Sequence, residues 1–131
     1  MYLLDTDTVI YGLKNVAKVV ENYKAKAEAP KSISVISYGE LIYGAKRSGQ
    51  PTRNLAVVRH VADLFPVIEV SRTIMEVFGD LKAELGSRGN TVDDFDLVIA
   101  ATAISYNYCL VTNNEKHFKM VPGLKLENWS R

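Results

Sequence analysis

Apolar residues recur along this chain with two different periods, and the switching between them marks out the elements. Tyr2-Leu3-Leu4 is a short apolar run halted by Asp5 and reads as a buried strand. Asp5-Thr6-Asp7-Thr8 then offers capping side chains ahead of a helix carrying Val9, Ile10 and Leu13. From about Val16 to Ala27, Val16, Val19, Val20 and Tyr23 share one helical face, and Lys18, Glu21, Lys24 and Lys26 the other. Pro30 ends that helix, and Ser32-Ile33-Ser34-Val35 alternates with period two, so a second strand is predicted. Helical spacing returns from Ser37 through Tyr38, Leu41, Ile42 and Ala45 until Gly49-Gln50-Pro51. A further helix over about Thr52 to Asp63 buries Leu55, Val58 and Ala62.

The second half repeats the scheme. Pro66-Val67-Ile68-Glu69-Val70 predicts a third strand, and Ser71 caps a helix with Ile74, Val77, Phe78, Leu81 and Leu85 inward. That helix frays in Gly86-Ser87-Arg88-Gly89-Asn90. Asp93 or Asp94 caps the next helix, Leu97 to Ser105, whose Leu97-Val98-Ile99-Ala100-Ala101 is apolar all round and calls for burial on most sides. Cys109-Leu110-Val111 is a fourth strand, Glu115 to Phe118 a helical turn, and Leu124-Lys125-Leu126 a last strand. Strands alternating with helices imply an α/β fold with a parallel sheet covered on both faces.

In such a sheet, ligands bind beyond the carboxyl ends of the strands, where the following helices begin. Asp5 closes the first strand, Glu40 lies about one turn into the helix after the second, and Asn114 follows the fourth. Asp96 opens the buried helix that leads into that fourth strand. If every strand is parallel, Asp5, Glu40 and Asp96 meet at one edge. Each has a plainer reading. Asp5 suits a helix cap, and Glu40 a solvated helix face. Asp96 is harder to set aside, wedged between Phe95 and Leu97 with no Lys or Arg from Gly89 to Asn114. A partly buried carboxylate needs a partner, here a metal ion or a base from elsewhere in the chain. Clustered carboxylates without His or Cys favour a hard ion such as Mg²⁺ or Mn²⁺, whose natural chemistry is phosphodiester hydrolysis.

Composition narrows the classes. The 131 residues are 47% hydrophobic, which excludes disorder and suits one domain over residues 1–131. The lone Cys109 excludes a disulfide scaffold, and neither a signal peptide nor a membrane-length apolar run is present, so a cytoplasmic protein is expected. Sixteen basic residues nearly cancel fifteen acidic ones, so indiscriminate charge-driven nucleic-acid binding is not expected. Competing chemistries are weakly supported. His60 and His117 sit on separate elements, Cys109 lies in an apolar strand, and no Gly-x-Ser-x-Gly elbow or phosphate loop occurs. A phospho-acceptor receiver domain needs an acid ending the middle strand and a Lys past a later one. The third strand ends Glu69-Val70-Ser71, and no Lys follows the fourth until Lys116.

Four ordered segments carry a resemblance. Leu3-Leu4-Asp5-Thr6-Asp7, Ile36-Ser37-Tyr38-Gly39-Glu40-Leu41 and Asp93-Asp94-Phe95-Asp96-Leu97-Val98-Ile99-Ala100-Ala101-Thr102-Ala103 resemble the PIN-domain ribonucleases. Leu110-Val111-Thr112-Asn113-Asn114-Glu115-Lys116-His117-Phe118, with Gly123-Leu124 and Asn128-Trp129, is similar to the VapC-type toxins in particular. The resemblance implies a three-layer α/β/α sandwich around a short, mostly parallel sheet of four to five strands. It implies a Mg²⁺- or Mn²⁺-dependent endoribonuclease, the toxin of a toxin–antitoxin pair, acting on a structured RNA such as tRNA. A homodimer and a VapB-type antitoxin are the implied partners, with DNA reached only through the antitoxin. Asp5, Glu40 and Asp96 match the family's metal-holding acids, with Asn114, Asp94, Asp93, Thr112 and Thr6 as supporting candidates. Lys46, Arg47 and His117 are candidate RNA contacts. Members often carry Asp at or just after the Thr-x-Asn segment, whereas this chain has Asn114 and then His117. That departure favours one tightly held ion, and keeps open a PIN-like scaffold that binds a partner or RNA without cutting it.

Overall fold

The computed structural model describes residues 1–131. In chain order the elements are β1 (Tyr2–Leu4), α1 (Thr6–Leu13), α2 (Ala17–Ala25), β2 (Lys31–Ser34), α3 (Val35–Lys46), α4 (Pro51–Leu64) and β3 (Val67–Ile68). Then follow α5 (Arg72–Ser87), α6 (Asp94–Tyr106), β4 (Cys109–Val111), α7 (Glu115–Phe118) and β5 (Lys125–Glu127). The five strands form one sheet in the order β3-β2-β1-β4-β5, and every pairing is parallel. The carboxyl ends of all five strands therefore lie along one edge.

Successive residues of a strand face opposite sides of the sheet, and here that alternation divides the core in two. Leu3 and Leu110 pack on one side with Ile74, Leu81 and Leu85 of α5, the apolar stretch of α6, and Phe118. Leu4, Ile33 and Val111 pack on the other with Val9, Val19, Leu41, Val58, Val61 and Trp129. Three layers result, with α1–α4 on one face and α5–α6 on the other. Helix α6 is the most enclosed of the helices: Leu97 through Ala103 are all buried, which matches its lack of a polar face there. Truncating a side chain such as Ile99, fully buried there, would cost roughly 2–5 kcal/mol. At the far end of the chain, Trp129 is buried and meets the Tyr2 ring edge-on at 5.2 Å.

The boundaries differ from the sequence reading in four informative places. Val35 belongs to α3 and not to β2, because Ser34 Oγ accepts from the Ile36 amide at 3.0 Å and starts the helix early. Strand β3 shrinks to Val67–Ile68, the two residues that find partners in Ile33 and Ser34, while Glu69 and Val70 are exposed. The last strand shifts by one residue to Lys125–Glu127. Finally, Val61 is buried with Val58 on α4, whereas Leu55 and Ala62 are only partly buried.

Candidate active site

The carboxyl edge of β1, β2 and β4 gathers four acids from three separate helices, α1, α3 and α6. Asp5 follows β1 directly and is buried as the N-cap of α1. Its Oδ1 accepts from the Thr6 amide at 2.8 Å, and its Oδ2 accepts from Thr112 Oγ1 at 2.8 Å. The capping role and the site position thus coincide in one side chain. Thr112, fully buried just past β4, also accepts from the Asn114 amide at 3.1 Å through the same Oγ1.

Beside Asp5, Thr6 Oγ1 donates to Glu40 Oε1 at 2.7 Å, which ties the first turn of α1 to the side of α3. Asp7 is the acid that sequence reasoning treated only as a capping residue. Its Oδ2 accepts from the Asn113 amide at 3.2 Å, and its carboxylate is close enough to raise the pKa of both Asp5 and Asp96. The signal was present in the Asp5-Thr6-Asp7 spacing, but two acids ahead of an apolar helix satisfy the capping pattern equally well.

Asp96 sits in the first turn of α6, partly exposed, with His117 Nε2 at 3.7 Å from its Oδ2. His117, a candidate RNA contact from the sequence at the place where the family often carries a fourth acid, thus lies beside an acid of the cluster. The basic side chain beside Asp96 is therefore an imidazole, at a distance beyond hydrogen-bond range. No Lys or Arg pairs with Asp5, Asp7, Glu40 or Asp96 in any ion pair of the molecule.

The other candidates separate from this group. Asp93 occupies the N-cap position of α6 without a side-chain capping bond, and Asp94 pairs with Lys82 at 2.9 Å on the exposed surface. The capping assigned to these two acids is therefore not made. Asn114 is exposed and its side chain caps nothing, while the neighbouring Asn113 has both amide atoms sealed from solvent without a partner. Lys46 and Arg47 end α3, roughly 9–10 Å along the helix from Glu40, and Arg47 lies over the exposed Tyr43 ring. His60 is exposed on α4. Cys109 is half-buried, and burial pushes its thiol up to about 11, so it is no nucleophile at neutral pH.

The electrostatics of the cluster reflect too much like charge in too little water. Burial raises Asp5 to about 7, with repulsion from Asp7 adding to it, against the hydrogen bonds from Thr112 and Thr6. Burial also raises Asp7, opposed by the Asn113 and Thr8 hydrogen bonds. Asp96 is raised by burial too, opposed by the His117 imidazole and reinforced by Asp93, Glu40 and Asp7. A divalent cation would relieve both burial and repulsion at once. As they stand, no three His, Cys, Asp or Glu side chains close into a cage. A hard ion such as Mg²⁺ does not require one, because it keeps several waters and binds through one or two carboxylates. The donor chemistry fits.

Comparison with known proteins agrees with the fold. Residues 2–124 match the family model described as the PIN domain. The chain is 36% identical over 129 residues to the tRNA(fMet)-specific endonuclease VapC of Shigella flexneri, covering 98% of both chains. The DNA-bound VapBC structure from Salmonella typhimurium superposes with a TM-score of 0.90 at 36% identity, over 98% of this chain and 97% of that one. VapBC2 from Rickettsia felis, bound to a DNA fragment from its promoter, gives a TM-score of 0.87 at 33% identity over 98% of each chain.

Proposed function

The chain belongs to the PIN-domain family, and from that premise we propose that it is a divalent-metal-dependent endoribonuclease acting as the toxin of a toxin–antitoxin pair. One observation carries the reading: Asp5, Asp7, Glu40 and Asp96 crowd one sheet edge with no Lys or Arg to neutralise them. The named activities of the VapC relatives, with which the chain aligns over nearly its whole length, support the same reaction. A structured RNA such as tRNA is the proposed substrate.

Asp5 and Asp96 would hold the ion directly, with Glu40 and Asp7 beside it, and Mg²⁺ is the proposed ion, Mn²⁺ its substitute. When bound, such an ion polarises the scissile phosphate, favours ionisation of the attacking water and steadies the departing oxygen. The chain's own part is positioning. Thr6 and Thr112 between them fix both oxygens of Asp5, and Thr6 also fixes one oxygen of Glu40. The carboxylates are therefore oriented before substrate arrives, which lowers the reorganisation needed at the reacting phosphate.

We assign the chain a homodimeric state and a VapB-type antitoxin, with operator DNA contacted by that antitoxin. An apolar cleft of about 310 Å³ between α1–α2 and α4 offers the antitoxin an anchor. Leu13, Tyr23 and Leu64 remain exposed along it, and its Leu4, Thr8 and Val9 flank the acidic edge. No helix is long and apolar enough to cross a membrane, and a cytoplasmic site of action fits this set of partners.

Incubating the purified protein with total bacterial RNA, in Mg²⁺ or in EDTA, tests the proposal. Discrete fragments in Mg²⁺, absent in EDTA and absent with Asp5→Asn, are expected. Equal cleavage in EDTA would refute it.

A further inference from the structure

His117 is the one basic side chain built into the acidic edge, and positioning of the carboxylates leaves it without a task. Its Nε2 is sealed from solvent yet makes no hydrogen bond. A ring nitrogen shut off from water without a partner in the chain calls for one from outside it. The ring neighbours the fully buried Phe118 at 5.9 Å between centroids. Beside Nε2 lies Asp96 Oδ2 at 3.7 Å. That gap exceeds the range of an N–H···O hydrogen bond. One ion placed about 2.1 Å from each atom spans it, since that is the ordinary bond length from a small divalent cation to imidazole nitrogen or carboxylate oxygen.

We infer that His117 is a ligand of the ion held at the acidic edge, making the donor set mixed nitrogen and oxygen and shifting its preference from Mg²⁺ toward first-row divalent ions such as Mn²⁺. The inference rests on the metal-dependent reading above and deepens it. Mg²⁺ is a hard ion that takes oxygen and water, whereas imidazole nitrogen adds affinity along the first transition row. An all-carboxylate edge would not discriminate in this way. The surrounding charge is compatible with the assignment, because the acid beside the ring is Asp96 and the further charges acting on Asp96 are the acids Asp93, Glu40 and Asp7. On its own short helix the flanking charges are Glu115 and Lys116, and Glu115 is engaged by Arg131 at 2.8 Å and by Asn128 at 3.1 Å.

Pulsed electron paramagnetic resonance of Mn²⁺ added to the full chain tests the assignment. Bound Mn²⁺ should show the ¹⁴N modulation of a directly coordinated imidazole, and the modulation should vanish in His117→Gln. In the same variant Mn²⁺ affinity should fall about tenfold while Mg²⁺ affinity, read by competition, changes less than about threefold. His117→Glu, an oxygen donor of similar reach, should bind Mn²⁺ without the nitrogen signal and should hold Mg²⁺ more tightly than His117→Gln. Mn²⁺ that binds the wild type without ¹⁴N modulation, or a modulation that survives in His117→Gln, would overturn the role of His117. If Asp96→Asn still abolishes binding in that case, the carboxylate site stands. Failure of Mn²⁺ to bind the wild type at all would overturn both.

Discussion

Thr112 and Asp5 are 107 residues apart and joined by a 2.8 Å hydrogen bond between the ends of two adjacent parallel strands, β4 and β1. The bond is buried, and it is one of two that hold Asp5 against the upward push of burial and Asp7. Thr112→Val keeps the shape and removes the donor, so Asp5 should ionise at still higher pH. The acidic limb of the pH–rate profile for RNA cleavage should move upward, and cleavage at pH 7 should fall by about tenfold, or about 1.4 kcal/mol of barrier. Thr112→Ser should behave as wild type. A profile unmoved by Thr112→Val would show that the hydroxyl does not control Asp5.

The raised pKa of Asp5 makes the metal-free protein sensitive to pH in a defined direction. The unfolded chain gives up this proton near pH 4 and the folded chain near 7, so the folded state binds more protons in between. Stability of the apo protein should therefore fall as pH rises from about 4 to 7 and level off above, by a few kcal/mol at most. Asp7 and Asp96 are raised as well and act with the same sign. Asp5→Asn should flatten the dependence and raise the midpoint temperature at pH 8, while abolishing cleavage. Thermal melts in EDTA across pH 4 to 8 decide this, and a melt that rises with pH would contradict it.

Asp7 and Asp94 are expected to part company, although both are aspartates near the start of a helix. Asp7→Asn removes one of the charges coupled to Asp5 and Asp96, so RNA cleavage should drop at least about tenfold, the size of one lost charge contact. Asp94 instead pairs with Lys82 at the exposed surface, where such pairs contribute at most about 1 kcal/mol. Asp94→Asn should leave cleavage within about twofold of wild type. Equal losses in the two variants would mean that the catalytic acids extend along α6.

The site was legible where it depended on element order and obscure where it depended on turns. Asp5, Glu40 and Asp96 could be assigned to one edge because strand ends and helix starts are marked by period changes and capping residues. The parallel sheet then does the rest. Asp7 was hidden by its own capping-type surroundings. Asn113 and Asn114 could not be told apart, since only the turn after β4 decides which amide turns inward. The approach of His117 to Asp96 depends on the single helical turn of α7 folding back over α6, and no periodicity in four residues reveals that. The short β3 shows the same limit: Glu69 and Val70 have strand-like composition, but only Val67 and Ile68 reach partners on β2.

The apolar cleft gives the antitoxin proposal its own handle. Leu64 is 59% exposed at its edge, so a charge there should leave the fold intact while opposing any apolar partner segment. Leu64→Asp should weaken inhibition by the cognate antitoxin by at least about tenfold and leave RNA cleavage unchanged. Inhibition curves at fixed toxin concentration measure both. Unchanged inhibition would put the antitoxin on another surface.

Whether the crowded carboxylates hold the ion that drives cleavage is decided by one pair of curves. Mn²⁺ binding to the protein and Mn²⁺ activation of tRNA cleavage are measured on the same preparation, for wild type and for Asp96→Asn. Curves with a shared midpoint are expected in the wild type, and loss of both in the variant. Activation at concentrations unrelated to binding, or an Asp96→Asn variant that still binds the ion and cuts, would contradict such a role for the carboxylates.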